Sequence, residues 1–316
     1  MMETSEMVAR ARRLLARIRE YLRSMPRSLS KFAEGDQVWA YNGEPRTVVG
    51  MRWASQAILV LLASLHPAVA HAQKALPSDS YGGLDKLAKT YKIEIIKADL
   101  SFPVKTTHGV INGKSAGEKE LQEYVKLFAP EFALYPRDLV RRSKLKRVVL
   151  CSELSFADQR RNAIPDFEHD TLYLDVSRGT YNKTYMRKVI HHEFFHIVDY
   201  RDDGSVYKDE RWESLNPANF KYGSGGRAAQ DLQQTSVLTD KFPGLLNHYS
   251  TTAVEEDKAE LFSNLIIDSE YLENRIKKDR VLHAKVERMR ELLVTFCPDM
   301  NGKFWEKAAK LKRSGK

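Results

Sequence analysis

The chain has 316 residues, 42% of them hydrophobic and 29% charged, with a formal net charge of +9. These proportions belong to a soluble globular protein with an ample core, in one large domain or two small ones, and they exclude a chain too polar to fold. The charge is spread along the sequence and licenses only a mild expectation of acidic partners.

Residues 9–23 form a basic amphipathic stretch of the kind that lies on anionic membranes or nucleic acid. Residues 51–73 read as a secretory signal peptide. Arg52 opens it, Ala57 to Leu65 supply the apolar centre, and Ala70-His71-Ala72 supplies a cleavage site before Gln73. That apolar run is too short for a membrane span. The expectation is therefore a translation start at Met51 and cleavage after Ala72. Residues 1–50 are then an upstream extension, 51–72 the signal peptide, and 73–316 a single secreted or periplasmic domain. On that reading the basic stretch is not in the mature protein, and neither nucleic-acid binding nor stable membrane insertion is expected.

Leu84 to Tyr91 is a short helix candidate and Ile93 to Ile96 a strand. Ser115-x-x-Glu118 has the form of a capping box. It opens a helix whose apolar residues Leu121, Tyr124, Val125 and Phe128 keep helical spacing. Val148 to Cys151 reads as a buried strand. Thr171 to Val176 alternates, which predicts a half-buried strand. A strand just before the next helix suits the role of an exposed edge, whose unpaired backbone groups an extended peptide can pair with.

That helix contains His192-Glu193-x-x-His196, the H-E-x-x-H pattern of zinc hydrolases. Residues four apart on a helix stand one above the other, so two imidazoles can close on one Zn²⁺. Glu193 sits beside them, near enough to act on a water. Ile190, Phe194, Ile197 and Val198 fall on one face, and Val189, His192, Glu193, His196 and Tyr200 on the other. His191 flanks the core face and reads as a packing histidine.

After Tyr200 the pattern breaks, and residues 201–250 read as loop. Lys221 to Gly226 has glycines but no G-K-[ST] and no preceding strand, so it is no phosphate loop. Thr252-x-x-Glu255 is a second capping box, opening a helix with Ala259, Phe262 and Ile266 in register. Another helix is expected from Tyr271 to Phe296, and a short basic one from Lys303, anchored by Phe304 and Trp305. Cys151 and Cys297 either form one disulfide or remain buried thiols, and neither has metal-binding spacing. There is no internal repeat or low-complexity tract.

A catalytic zinc takes three protein ligands. One candidate for the third is Asp202, ten residues after His192. That position usually follows a glycine that lets the helix turn back, and here Asp199 stands in the glycine's place. The other candidate lies in Glu256-Asp257-Lys258-Ala259-Glu260. Two carboxylates four apart project from one helix face, one to ligate zinc and one to orient a histidine.

The His192-to-Asp199 run, with Tyr249 seven residues before Glu256 in a following Glu256-x-x-Ala259-Glu260, resembles the gluzincin zinc metallopeptidases of the anthrax lethal factor and Pro-Pro endopeptidase type. It is also similar to candidate zinc-binding metallopeptidases secreted by bacteria. The resemblance spans roughly residues 170–270. It implies a zincin-like α+β fold: a small mixed sheet with an edge strand over the active-site helix, then a helical C-terminal half. It implies His192, His196 and Glu256 as ligands of Zn²⁺, with Glu193 as general base and Tyr249 as transition-state stabiliser. Glu260 and Asp199 would support the ligands from behind. Lys258 departs from the bulky apolar residue common at its position. The expected function is hydrolysis of peptide bonds in a peptide or protein substrate, by a monomer. The alternative is a non-catalytic binding module that zinc stabilises.

Overall fold

The computed structural model describes residues 81–223, 225 and 236–313. The extension 1–50, the signal peptide with its cleavage site, and the basic stretch 9–23 lie outside the described residues. The architecture is α+β: a small mixed sheet precedes and overlies the histidine helix, and the C-terminal half is helical.

The first helix, α1 (Gly82–Tyr91), leads into strands β1 (Glu94–Ile96), β2 (Val104–Thr106) and β3 (Gly109–Ser115). Helices α2 (Glu118–Phe132) and α3 (Arg137–Arg142) follow. Then come β4 (Arg147–Phe156), β5 (Gln159–Arg160), β6 (Ala163–Asp166) and β7 (Thr171–Asp175). The long strand β4 is the spine of the sheet. Its first half pairs in parallel with β1 and β7, and its second half pairs antiparallel with β3 and β5. Strand β6 closes the sheet on the far side of β7, antiparallel to it.

Three expectations are corrected here. Strand β7 is buried along its whole length rather than half-buried. It lies between β4 and β6, and both of its faces are covered. Leu172 and Leu174 join the main core, while Tyr173 packs in a smaller cluster on the other face with Ile111, Val149 and Ile164. A strand covered on both sides need not alternate in burial. Nor does β7 form the edge beside the histidine helix; the short β6 does. The capping box at Ser115 does not form either. Ser115 is spent in the ladder opposite Cys151, and the helix starts at Glu118 behind Gly117 with no side-chain cap.

Helix α4 (Lys183–Asp202) carries the histidines. The Asn182 side chain caps it by accepting from the Tyr185 N–H. Ile190, Phe194, Phe195 and Val198 are buried against the core, so one face is spent on packing. His191 belongs to that face. It meets the Tyr135 hydroxyl at 2.6 Å and Glu131 at 3.1 Å, both buried.

Beyond α4 come the short α5 (Glu210–Glu213), a 3₁₀ turn (Tyr249–Thr251) and α6 (Val254–Ile267). The expected capping box at Thr252 does not form. Thr252 extends the 3₁₀ turn, its hydroxyl donating to the Tyr249 carbonyl at 2.7 Å, and Ala253 enters the helix. The predicted helix from Tyr271 to Phe296 is two: α7 (Ser269–Ile276) and α8 (Arg280–Phe296). Asp279 breaks it by capping α8 through the Leu282 N–H. Asp279 also accepts from the Gly244 N–H at 2.8 Å. Gly244 has φ +78, and a Cβ there would meet Val281 at 2.2 Å, so only glycine fits. Helix α9 (Gly302–Lys310) is held by buried Phe304 and partly buried Trp305. Cys151 and Cys297 are free, buried thiols. No helix among the described residues is long and apolar enough to cross a membrane.

Candidate metal centre

Helices α4 and α6 pack face to face, and the chemistry lies in their seam. His192 and His196 project from α4 one turn apart, and Glu256 projects from the first turn of α6. His192 Nε2 lies 3.2 Å from His196 Nε2 and 3.0 Å from Glu256 Oε2. His196 Nε2 lies 3.6 Å from the same carboxylate oxygen. Bonds of about 2.0–2.1 Å to a tetrahedral zinc put neighbouring ligand atoms roughly 3.3–3.4 Å apart. The three donors stand at that spacing, and two imidazoles with one carboxylate are a donor set suited to Zn²⁺. The residues present fit the ion.

The carboxylates around the histidines are held in different states. Burial opposes the charge on Glu256, but hydrogen bonds from His192 and His196 hold it well below the usual carboxylate range. Burial likewise opposes a charge on His192, yet Glu256 and Glu260 lift its pKa to about 10. Glu193 moves the other way. It is partly buried, and desolvation raises its pKa against the pull of the two histidines. Metal binding at such donors is coupled to proton release, because imidazole and carboxylate ligate in their deprotonated forms.

The surrounding residues fix this geometry. Glu260 Oε1 is 3.2 Å from His192 Nδ1, while its Oε2 takes Lys188 and Asn247, each at 2.5 Å. Asn247 in turn accepts from the Ser250 N–H and hydroxyl at 2.8 and 3.0 Å. That contact pins the 3₁₀ turn bearing Tyr249, whose hydroxyl donates to Glu256 Oε1 at 2.8 Å. Asp199 is fully buried and pairs with Lys258 at 2.5 Å. Lys258 also reaches Asp209 at 3.0 Å, and these carboxylates keep it charged. The charge of Lys258 thus takes the space of a bulky apolar residue by finding one buried and one partly buried acid. Among the described residues no hydrogen bond reaches His196 Nδ1. Asp202 stands in the last turn of α4, outside the ligand cluster, with burial raising its pKa to about 7.

A cleft opens on both sides of the cluster. One arm of about 580 Å³ contains Glu193, His196, Glu256, Tyr249 and the length of β6. The other, about 430 Å³, contains His192, Glu193, Tyr249 and the start of β6. Asn162, just before β6, accepts from the Asp175 N–H. In an antiparallel ladder bonded pairs alternate, so Ala163 and Pro165 turn their backbone groups away from β7. Pro165 has no N–H to offer, which leaves the Ala163 N–H and C=O as the paired groups of this edge.

Asn247 and Ala163 carry no signal in the sequence. Lys188 stands four residues before His192, the single periodic hint that it shares the histidine face.

No family model matches the chain, and no curated protein matches it. Among solved structures, it is similar to a candidate zinc-binding metallopeptidase from Bacteroides caccae. Identity is 14%, with 75% of this chain and 96% of that chain covered, at a TM-score of 0.43. A likeness at that level leaves function to be argued from this chain's own residues.

Proposed function

We propose that the protein is a zinc-dependent metallopeptidase, secreted or periplasmic, that hydrolyses peptide bonds. The observation that carries this is the triangle of His192, His196 and Glu256 beside Glu193, in a cleft along the β6 edge. A zinc held there would polarise a carbonyl and lower the pKa of water toward about 7. The protein's own residues do the rest. The Ala163 N–H and C=O pair with the backbone of an extended substrate. Glu193, whose burial makes it a better base than a solvated carboxylate, takes a proton from the attacking water and returns it to the leaving amine. Tyr249 opens on both arms, and its hydroxyl donates to the oxygen on which charge develops. Glu260, Lys188 and Asn247 hold His192 and the Tyr249 turn in register throughout.

The test is elemental analysis together with peptide hydrolysis. Wild type should carry one zinc per chain, and Glu256→Ala little. Glu193→Gln should keep its zinc and lose hydrolysis by about 10²–10⁴-fold. If Glu193→Gln cleaved peptides at the wild-type rate, the base assignment would be wrong. If neither wild type nor Glu256→Ala held zinc, the peptidase reading would go with it.

A further inference from the structure

The two arms of the cleft differ in charge. The smaller is lined by Arg160, Arg161 and Arg178. Among the described residues its only carboxylates are Glu193 and Glu260, and Glu260 is engaged by Lys188 and Asn247. Arg160 and Arg178 are exposed, and the neutral wall beside them is fixed by an Asn162-to-Tyr185 hydrogen bond of 2.9 Å. Among the described residues the larger arm has, apart from the shared Arg161, no lysine or arginine; it carries Glu168 and Glu255 with the rings of Phe167, Tyr200 and Tyr207. The arms meet at Arg161, Ala163, Glu193 and Tyr249, so the charge of the cleft changes sign at the reacting centre.

From this polarity we propose that the basic arm selects a substrate carboxylate, placed just C-terminal to the bond that is cut. The inference rests on the peptidase reading above and names its substrate class. Strand β6 runs from the basic arm toward the acidic one. A substrate strand that exchanges both hydrogen bonds with Ala163 runs antiparallel to it. Its N-terminal part then lies in the acidic, aromatic arm, and its C-terminal part lies among the arginines. Guanidinium groups bind carboxylates through paired N–H donors, which a lysine or neutral side chain cannot satisfy. The carboxylate comes from an Asp or Glu side chain or from a free C-terminus. Exposed ion pairs give at most about fivefold each, so the two exposed arginines, Arg160 and Arg178, support a preference of roughly tenfold.

Binding tests this without requiring turnover. Fluorescent decapeptides that differ only in carrying Glu, Ala or Lys in the C-terminal half would be titrated into full-length, zinc-treated Glu193→Gln. Each would be made with a free and with an amidated C-terminus. The Glu peptides should bind roughly tenfold tighter than the Lys peptides. The Arg160→Glu/Arg178→Glu double variant should reverse the order. A Glu-over-Lys preference that survives amidation assigns the arm to an acidic side chain; affinity lost on amidation whatever the side chain assigns it to the chain terminus. Equal affinity for Glu and Lys peptides that amidation leaves unchanged overturns the proposal, even if wild type proves an active zinc peptidase. Should the double variant misfold, the comparison of peptides on Glu193→Gln decides alone. Sequencing wild-type cleavage products checks the direction: a requirement for Glu N-terminal to the cut refutes the assignment. Absence of zinc and of cleavage in wild type is a separate result and removes the peptidase reading instead.

Discussion

Glu193 and Glu256 both lie within reach of the same two histidines, yet their surroundings drive them apart. Glu256 is hydrogen-bonded by imidazole and hydroxyl and stays ionised; Glu193 is desolvated and proton-seeking. Such divergence is what the proposed roles of ligand and base require. Tyr249 bonds Glu256 in this structure, and the proposed mechanism needs the same hydroxyl at the substrate oxygen. Tyr249→Phe should therefore lower kcat by about 10²–10³-fold and leave KM nearly unchanged, as steady-state kinetics on one peptide will show. Behind the histidines, Glu131 is buried with His191, Arg187 and Arg313 around it. Burial would raise its pKa, but hydrogen bonds from His191 and Arg313 bring it down to about 2 from an ordinary 4.5. A depressed carboxylate stabilises the fold fully above the unfolded value and loses that effect as pH falls through the folded value. The contribution, on the order of 3 kcal/mol, should decline below about pH 4.5 and vanish near pH 2. Urea unfolding of wild type and Glu131→Gln at several acidic pH values should show their stability gap closing over that window.

Helices α4 and α6 are helices by local rules, but what fixes their mutual position is a set of side chains at their ends. Glu260 and Lys258 on α6 reach Lys188 and Asp199 on α4, so the two helices are bonded on both sides of the ligand cluster. Buried pairs of this kind add little net stability but are costly to break singly. The junction of α7 and α8 shows the same economy. Asp279 caps α8, accepts from the Gly244 N–H and meets Arg275 at 3.2 Å. Asp279→Ala removes a cap worth about 1 kcal/mol and leaves the Gly244 N–H without its partner. A loss of roughly 2 kcal/mol is expected, read as a lowered urea midpoint with an unchanged m-value. An unshifted midpoint would mean that the neighbouring turns supply the capping.

At the scale of the molecule, the sheet, α4 and the C-terminal helices share one main apolar core. That core includes Phe128, Phe194, Phe262 and Met289, all fully buried, and none of these depends on a metal. Arg313 returns from beyond α9 to Glu131 at 2.8 Å, fastening the end of the chain to α2 behind the histidines. The fold should therefore survive loss of the ion. Chelation should lower Tm by an amount that grows with zinc affinity and leave the far-UV circular dichroism at 25 °C unchanged. A module that zinc alone stabilises would unfold instead.

The pairing of His192 with His196 is legible in sequence because helix geometry is local: four residues make about one turn, whatever surrounds it. The core faces of α4 and α6 are legible for the same reason, through periodic Ile190, Phe194, Phe262 and Ile266. The strand over the helix was not. Strand β6 is four residues long and contains Pro165, so neither alternation nor propensity marks it. Its place at the edge follows from which strands β4 and β7 had left unpaired. Residue spacing alone left Asp202 and Glu256 as rival ligands, because sequence separation says nothing of distance across 64 residues. Packing of α6 on α4 brings Glu256 to the imidazoles and leaves Asp202 outside. Lys188, Asn247 and the two-signed cleft are likewise products of that packing. Local rules determined which side chains share a face, and only the tertiary structure decided which faces meet, because burial of apolar surface is indifferent to sequence order.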